Sequence, residues 1–367
     1  MKICITTSPG LEDISAKEIE SLGGKVREIR FNKGRVFLEG DVKTVVRLNY
    51  LARTVERVMV FLKFERFEKL DDIYRIVREI DFRFIKPNQS FAIRPSRVGK
   101  HDFTSLDVGR VAGQAVIDSY MESKGVRLKV NLDEPDVIIR VDVINDEVYV
   151  GLDTTGEALH KRGYRIYNHP APLNPVIASA LIILSGWECE EILLDPMCGS
   201  GTILIESAMM CRNIPPQKFR VDFQFTKIWG YDLLDEVREE VFENKMDLNL
   251  IGIEKFRKHL IGAKLNSERA GVSDTIDYIQ GDATRLCLKR ADIVVTNPPY
   301  GLRIAKKKII EDLYEGFLES ASSVDKIVII TAEYKILKEK AEKIGYSIED
   351  ERWVRYGGLN TKVFVLC

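Results

Sequence analysis

The sequence has 367 residues, 45% of them hydrophobic and 30% charged, which excludes a disordered or fibrous chain. At about 150 residues per domain the length calls for roughly two to three domains. Lys and Arg total 55 against 56 Asp and Glu, a net charge of −1, so any polyanion must be met by local patches rather than by the chain as a whole.

No apolar stretch approaches the roughly 18 residues needed to span a bilayer, and Met1 to Gly10 lacks a basic segment followed by an apolar one. A cytoplasmic protein with no membrane partner is expected. Cysteines stand singly at 4, 189, 198, 211, 287 and 367, with no C-x-x-C pair, and read as free thiols of a reducing compartment. The histidines at 101, 160, 169 and 259 show no ligand spacing, so no metal is expected.

In chain order, Lys2–Thr6, Val26–Ile29, Arg35–Leu38 and Arg57–Phe64 read as strands, with helices at Leu11–Leu22 and Val42–Leu51. The order βαββαβ is that of a ferredoxin-like unit, assigned to residues 1–63. Residues 64–156 form a second α/β stretch. It has a helix at Leu70–Ile80, a strand at Ser90–Arg94 and a helix opened by the capping pair Thr104 and Asp107. A hairpin of Val137–Val143 and Glu147–Leu152 turns at Asn145-Asp146. Residues 157–172 carry Lys161, Arg162 and Arg165 among prolines and read as an interdomain linker facing a polyanion; a solvated connector is the plain alternative.

From 173 to 367 short buried strands alternate with helices. The strands are Glu191–Leu194, Leu250–Ile253, Asp277–Gln280, Asp292–Thr296 and Lys326–Thr331. Helices are expected at Thr202–Cys211, Phe256–Ala270, Ile309–Ser322 and Glu333–Lys343, before a final hairpin of Ser347–Val354 and Thr361–Leu366. This is the pattern of a doubly wound, Rossmann-like α/β sheet with an antiparallel edge strand. The stretch 212–249 is an insertion with a short helix around Leu233–Lys245.

Four signals in this region carry chemistry. Asp195-Pro196-Met197-Cys198-Gly199-Ser200-Gly201-Thr202 is a strand, a tight glycine turn and a helix start, with Asp195 suited to an ammonium group. Glu254-Lys255 closes the next strand, where such folds hold ribose hydroxyls; Asp232 is a rival, less favoured because its strand and helix are less well formed. Asp282-Ala283 follows the third strand and suits an adenine amino group. Asn297-Pro298-Pro299-Tyr300 is the most specific: a stiff loop offering the Asn297 side-chain oxygen and the Pro298 carbonyl as paired acceptors for a planar amine, with the Tyr300 ring to stack on a base.

These four signals resemble motifs I to IV of class I S-adenosylmethionine-dependent methyltransferases that methylate exocyclic amines. Arg94, Arg97, His101 and the run Gly151–Gly156 through Leu159–Arg165 resemble a THUMP domain behind its ferredoxin-like partner. The resemblance covers essentially the whole chain and is similar to the archaeal tRNA guanine-N2 methyltransferases that act at position 6. It implies S-adenosylmethionine held by Asp195, Pro196, Cys198, Gly199, Gly201, Thr202, Glu254, Lys255, Asp282, Ala283 and Asn297. It also implies catalysis by Asn297, Pro298 and Tyr300 on a flipped guanine. RNA binding falls to Arg94, Arg97, His101, Lys161, Arg162 and Arg165, gripping the 3′ end and acceptor stem of tRNA, with the protein a monomer.

The charge distribution agrees: residues 1–170 carry net +3 and residues 171–367 net −4, and Arg83 to Arg110 holds six basic residues against two acids. Lys306-Lys307-Lys308 is a weaker candidate for RNA contact. The insertion resembles one in bacterial 23S rRNA guanine-N2 methyltransferases, so a ribosomal substrate stays open, as does N6 methylation of adenine. Asn297 in place of Asp counts against guanosine 10 of tRNA. A non-catalytic RNA-binding protein is disfavoured because all four signals are intact.

Overall fold

The structure is a computed structural model that describes residues 1–286, 291–301 and 307–367, the side chain of Lys307 excepted. The first unit comprises β1 (Lys2–Thr6), α1 (Glu12–Ser21), β2 (Lys25–Arg30), β3 (Arg35–Glu39), α2 (Val42–Leu51) and β4 (Arg57–Arg66). Alternation places Ile3, Ile5, Val36 and Leu38 on one face, where they bury against Ile19 of α1 and Val45, Val46 and Leu48 of α2. Asp41 caps α2 by accepting the Thr44 N–H at 2.7 Å.

The second unit comprises α3 (Leu70–Arg78), β5 (Ser90–Val98), α4 (Ser105–Lys124), β6 (Lys129–Val130), β7 (Val137–Ile144) and β8 (Glu147–Asp153). Thr104 and Asp107 form the expected capping box, and Asn145, at φ 54°, makes the expected hairpin turn. The two units share one eight-stranded sheet, ordered β2-β3-β1-β4-β8-β7-β5-β6, because β4 pairs with β1 on one side and β8 on the other. Residue 63 lies inside β4.

The third unit begins with α5 (Pro175–Ser185), a helix absent from the sequence reading. Nine of its residues are buried, so it has no polar face to betray a period. There follow β9 (Leu193–Asp195), α6 (Thr202–Cys211), α7 (Gln224–Trp229), α8 (Asp232–Glu239), β10 (Leu250–Glu254), α9 (Arg257–Ala270) and β11 (Ile276–Gln280). The chain ends with β12 (Ile293–Thr296), α10 (Lys307–Ser320), β13 (Lys326–Thr331), α11 (Tyr334–Ile344), β14 (Ile348–Tyr356) and β15 (Leu359–Leu366). The sheet order is β11-β10-β9-β12-β13-β15-β14. The antiparallel strand is β15, one in from the edge, with β14 outside it.

Three expectations are corrected. The insertion holds two short helices, α7 and α8, and its Phe223, Phe225, Leu234 and Val237 extend the core of the first unit. Cys189 and Cys211 are joined in a disulfide across Cα atoms 5.9 Å apart, linking the segment before β9 to the end of α6. Cys4 and Cys198 are buried free thiols, as read, while Cys287 lies outside the described residues.

The third correction concerns residues 157–172, which form a packed seam rather than a loose linker. The Arg162 side chain is fully buried and donates to Glu206 Oε1 at 3.3 Å, to the Leu159 carbonyl and to the Arg53 carbonyl. Glu206 in turn accepts from the Tyr164 and Ser179 hydroxyls at 2.9 and 3.0 Å. Arg53 of the first unit donates to the Met209 and Ile214 carbonyls of the third. Each nitrogen of this guanidinium is hydrogen-bonded within the protein and none of the side chain is exposed, so no phosphate can reach it and Arg162 is not an RNA contact.

Candidate active site

In the order β11-β10-β9-β12 the direction of winding reverses between β9 and β12, and the crevice outside the carboxyl ends of parallel strands at such a point is where open α/β sheets bind ligands. A cavity of about 620 Å³ lies there, within the size range of small-molecule sites. Each expected residue reaches it from a strand end: Asp195 from β9, Glu254 from β10, Asp282 after β11 and Asn297 after β12. Pro196, Cys198, Gly199, Thr202, Lys255, Ala283, Pro298 and Tyr300 also line it.

Asp195 is only 2% exposed. Its Oδ1 accepts the Thr296 hydroxyl at 2.8 Å and the Met197 N–H at 3.2 Å. Burial nonetheless pushes its carboxyl up to about 7, with the nearby Glu254 charge adding to the shift. The glycine turn is pinned to β10: the Cys198 N–H donates to the Ile253 carbonyl at 3.0 Å and the Gly199 N–H to Glu254 Oε2 at 3.1 Å. Gly201, at φ +79°, underlies the turn; a Cβ there would come 2.4 Å from the Tyr278 hydroxyl, so only glycine fits.

Glu254 also accepts the Phe256 N–H at 2.8 Å, and its carboxylate keeps acceptor sites for further donors. Asp232 starts α8, which packs against α2 of the first unit, and does not line the cavity. Asp282 accepts Lys255 Nζ at 2.9 Å and the Thr284 hydroxyl at 2.8 Å; the Lys255 ammonium holds its carboxyl down at about 2. Past β12 the Tyr300 hydroxyl donates to Asn297 Oδ1, and burial pushes that hydroxyl's pKa far up, so it remains a donor.

Sequence reading missed the residues around the mouth. His169 and His259 meet edge to face at 4.2 Å, and the Tyr167 hydroxyl bonds His259 Nδ1 at 2.8 Å. Burial and His259 together lower the His169 pKa. Phe256, Leu313, Tyr356 and Leu359 complete the wall. The aromatic that follows Glu254-Lys255 was a signal that could have found Phe256.

The remaining expected residues lie elsewhere. Arg94 projects from β5 and donates to the Leu132 carbonyl at 2.5 Å. Arg97 donates to His101 Nδ1 at 3.0 Å, and the His101 ring stacks on Phe103. Lys161 is exposed and paired with Glu157, whereas Arg165 is half-buried and donates to the Leu173 carbonyl and the Thr202 hydroxyl beneath the cavity. Lys306 and the Lys307 side chain lie outside the described residues; Lys308 is exposed.

A seven-stranded sheet with one antiparallel strand, a glycine turn after its first strand and an Asn-Pro-Pro-Tyr loop after its fourth define a class I methyltransferase. Family models agree for each part: the RMKL-like methyltransferase domain matches residues 162–362, the THUMP domain 67–153 and the RlmL ferredoxin-like domain 2–59. The chain belongs to the RMKL-like methyltransferase family.

Among its relatives is the tRNA (guanine(6)-N2)-methyltransferase of Methanocaldococcus jannaschii, 54% identical over the full length of both chains. The enzyme of the same name from Archaeoglobus fulgidus is 51% identical over 98% of this chain and 90% of its own. The ribosomal RNA large subunit methyltransferase K/L of Buchnera aphidicola is 31% identical over 84% of this chain but 46% of its own. Among solved structures, TrmN from Thermus thermophilus superposes with a TM-score of 0.72 at 25% identity, over 100% of this chain and 98% of its own.

The cofactor of this class is S-adenosylmethionine, and the residues present fit it. The carboxylates of Asp195 and Glu254 and the side chain of Asp282 line one wall, with spare acceptor capacity for an ammonium, a ribose and an amino group. Gly199 of the turn lines the same cavity, where an added Cβ would face the His169 ring at 3.7 Å. Among the described residues no group of three or more His, Cys, Asp or Glu is placed to hold a metal ion, and no helix is long and apolar enough to cross a membrane.

Proposed function

We propose that this chain methylates the exocyclic N2 of a guanosine in tRNA, at position 6 of the acceptor stem. The observation that carries the reading is the single cavity that gathers Asp195, Glu254 and Asp282 against Asn297 and Pro298. Full-length similarity to two archaeal enzymes of that name supports the substrate.

S-adenosylmethionine supplies an electrophilic methyl on a sulfonium, so the protein's task is chiefly to position a weak amine. Asp195 and the Gly199–Gly201 turn serve the methionine end, Glu254 the ribose and Asp282 with Ala283 the adenine. Asn297 Oδ1 and the Pro298 carbonyl accept the two N2 hydrogens, aim the lone pair and stabilise the positive charge that develops on nitrogen. The Tyr300 ring steadies the flipped base, whose extrusion costs a few kcal/mol. RNA binding rests on residues 1–156 and the exposed part of the seam: Arg94, Arg97, His101 and Lys161, with Arg165 at the seam's inner end, directed to the tRNA 3′ end.

The test is labelled S-adenosylmethionine with tRNA and with large-subunit rRNA, followed by nucleoside analysis. N2-methylguanosine at position 6 of tRNA is the expected product. N6-methyladenosine, or label confined to rRNA, overturns the reading.

A further inference from the structure

The shared eight-stranded sheet carries its helices on one face, and the other face of its first four strands bears an aromatic and basic cleft. The register sets this up: Cys4 of β1 pairs with Phe37 of β3 and Met59 of β4, so Phe37 and Phe61 stand opposite the buried Ile3, Ile5, Val36 and Leu38. Phe64 joins them beyond a bulge in β4, paired with Tyr149 of β8. All three phenylalanines are partly exposed. Phe37 and Phe61 meet edge to face at 5.1 Å, and the Arg30 guanidinium lies 4.0 Å over the Phe64 ring, showing that this face accepts a flat cationic group in a stacked position.

A cavity of about 490 Å³ opens between these rings. Lys2, Arg27, Arg30 and Lys63 line it against Glu28 and Glu39, a net positive wall. Arg27 is paired with Glu39, an exposed surface pair that a phosphate can replace at little cost; Arg30, paired with Glu28, and Lys63, paired with Glu65 and Glu79, are more deeply set beside the rings. Flat rings with cations between them are what an unpaired nucleotide needs: each base has a π-face to stack and each phosphate a charge to meet. On the neighbouring strands this face is closed, with Tyr149 and Asp153 of β8 and Asp142 of β7 buried, the two carboxylates beneath Arg57 and Arg35, so the cleft is confined to the first four strands.

We propose that this cleft is a second RNA site, which stacks an unpaired nucleotide of the substrate RNA on Phe37, Phe61 and Phe64. The inference rests on the reading of the chain as an RNA methyltransferase. Binding is measured for the full chain with a short unpaired oligouridylate and with a tRNA transcript, for wild type and for Phe37→Leu, Phe61→Leu and the double variant. Leucine keeps apolar volume and removes the flat ring. The expected result is an oligouridylate affinity about tenfold weaker or more in the double variant, the salt slope of tRNA binding unchanged, and S-adenosylmethionine affinity unaltered.

Wild-type protein irradiated with an oligouridylate carrying 4-thiouridine should crosslink within 35–39 or 57–66, a readout that does not depend on the variants folding. Crosslinks confined to other segments, or double-variant affinity equal to wild type, overturn the proposal. So does a wild-type dimer that the double variant dissociates with RNA affinity intact, since the face would then be a protein contact. A wild-type chain that methylates tRNA yet shows any of these results leaves the enzymatic reading standing and removes only this site; a wild-type chain that methylates no RNA removes the reading beneath it.

Discussion

The Tyr300 hydroxyl donates a 2.5 Å hydrogen bond to Oδ1 of Asn297. That oxygen is the acceptor proposed for the guanine amine, and an amide oxygen has two lone pairs, so one stays free while the other fixes which way the amide points. Tyr300→Phe keeps the ring and removes the tether. We expect kcat to fall about tenfold or more with KM little changed, measured in single-turnover methylation of tRNA.

Asn297→Ala removes the acceptor itself. Transfer should fall by about a thousandfold while S-adenosylmethionine affinity, read by calorimetry, stays within a factor of about three. Joint loss of both would mark Asn297 as structural.

Asp195 gives the site a pH dependence. With its carboxyl at about 7 in the free protein, the group is neutral below that pH, and only the ionised form attracts an ammonium. Cofactor affinity should therefore fall roughly tenfold from pH 8 to pH 6. The stability sign is opposite: the folded pKa is raised above the usual 3.8, so the group's contribution is fully present below about pH 4 and is lost as pH rises through 7. Asp195→Asn should thus raise the Tm of the cofactor-free protein at pH 8, leave it unchanged near pH 4, and abolish cofactor binding, as thermal melts and calorimetry would show.

Arg162 and Lys161 are sequence neighbours with opposite roles. Arg162→Ala leaves Glu206 buried without its cation and should cost about 3–5 kcal/mol of stability, read by denaturant unfolding. Lys161→Glu should leave stability within about 0.5 kcal/mol but weaken tRNA binding and flatten its salt dependence.

The Cys189–Cys211 bond closes a loop across 22 residues, for which chain entropy predicts about 3 kcal/mol of stabilisation. Reduction, or Cys211→Ser, should lower Tm by several degrees. An unchanged melt in reductant would remove the staple from the account.

The chemistry-bearing loops were legible in the sequence because strand ends are local: short runs such as residues 193–195 and 293–296 announce buried strands, and the residues that follow them face the crevice. What escaped depends on partners far along the chain. Arg162 reads as a basic linker residue until Glu206, 44 positions on, is seen beside it. The disulfide has no spacing signature, and α5 is too uniformly apolar to show a period. Likewise His169, His259 and Tyr356 reach one mouth from three separate segments.

Because β4 belongs to both N-terminal units, neither is a module that could be cut out or exchanged alone: a join at residue 63 would sever a strand in the middle of its ladder. Nor would residues 1–156 stand alone, since Phe223, Phe225, Leu234 and Val237 complete the core of the first unit. The two N-terminal units should melt together and exchange their central amides as a single cooperative block.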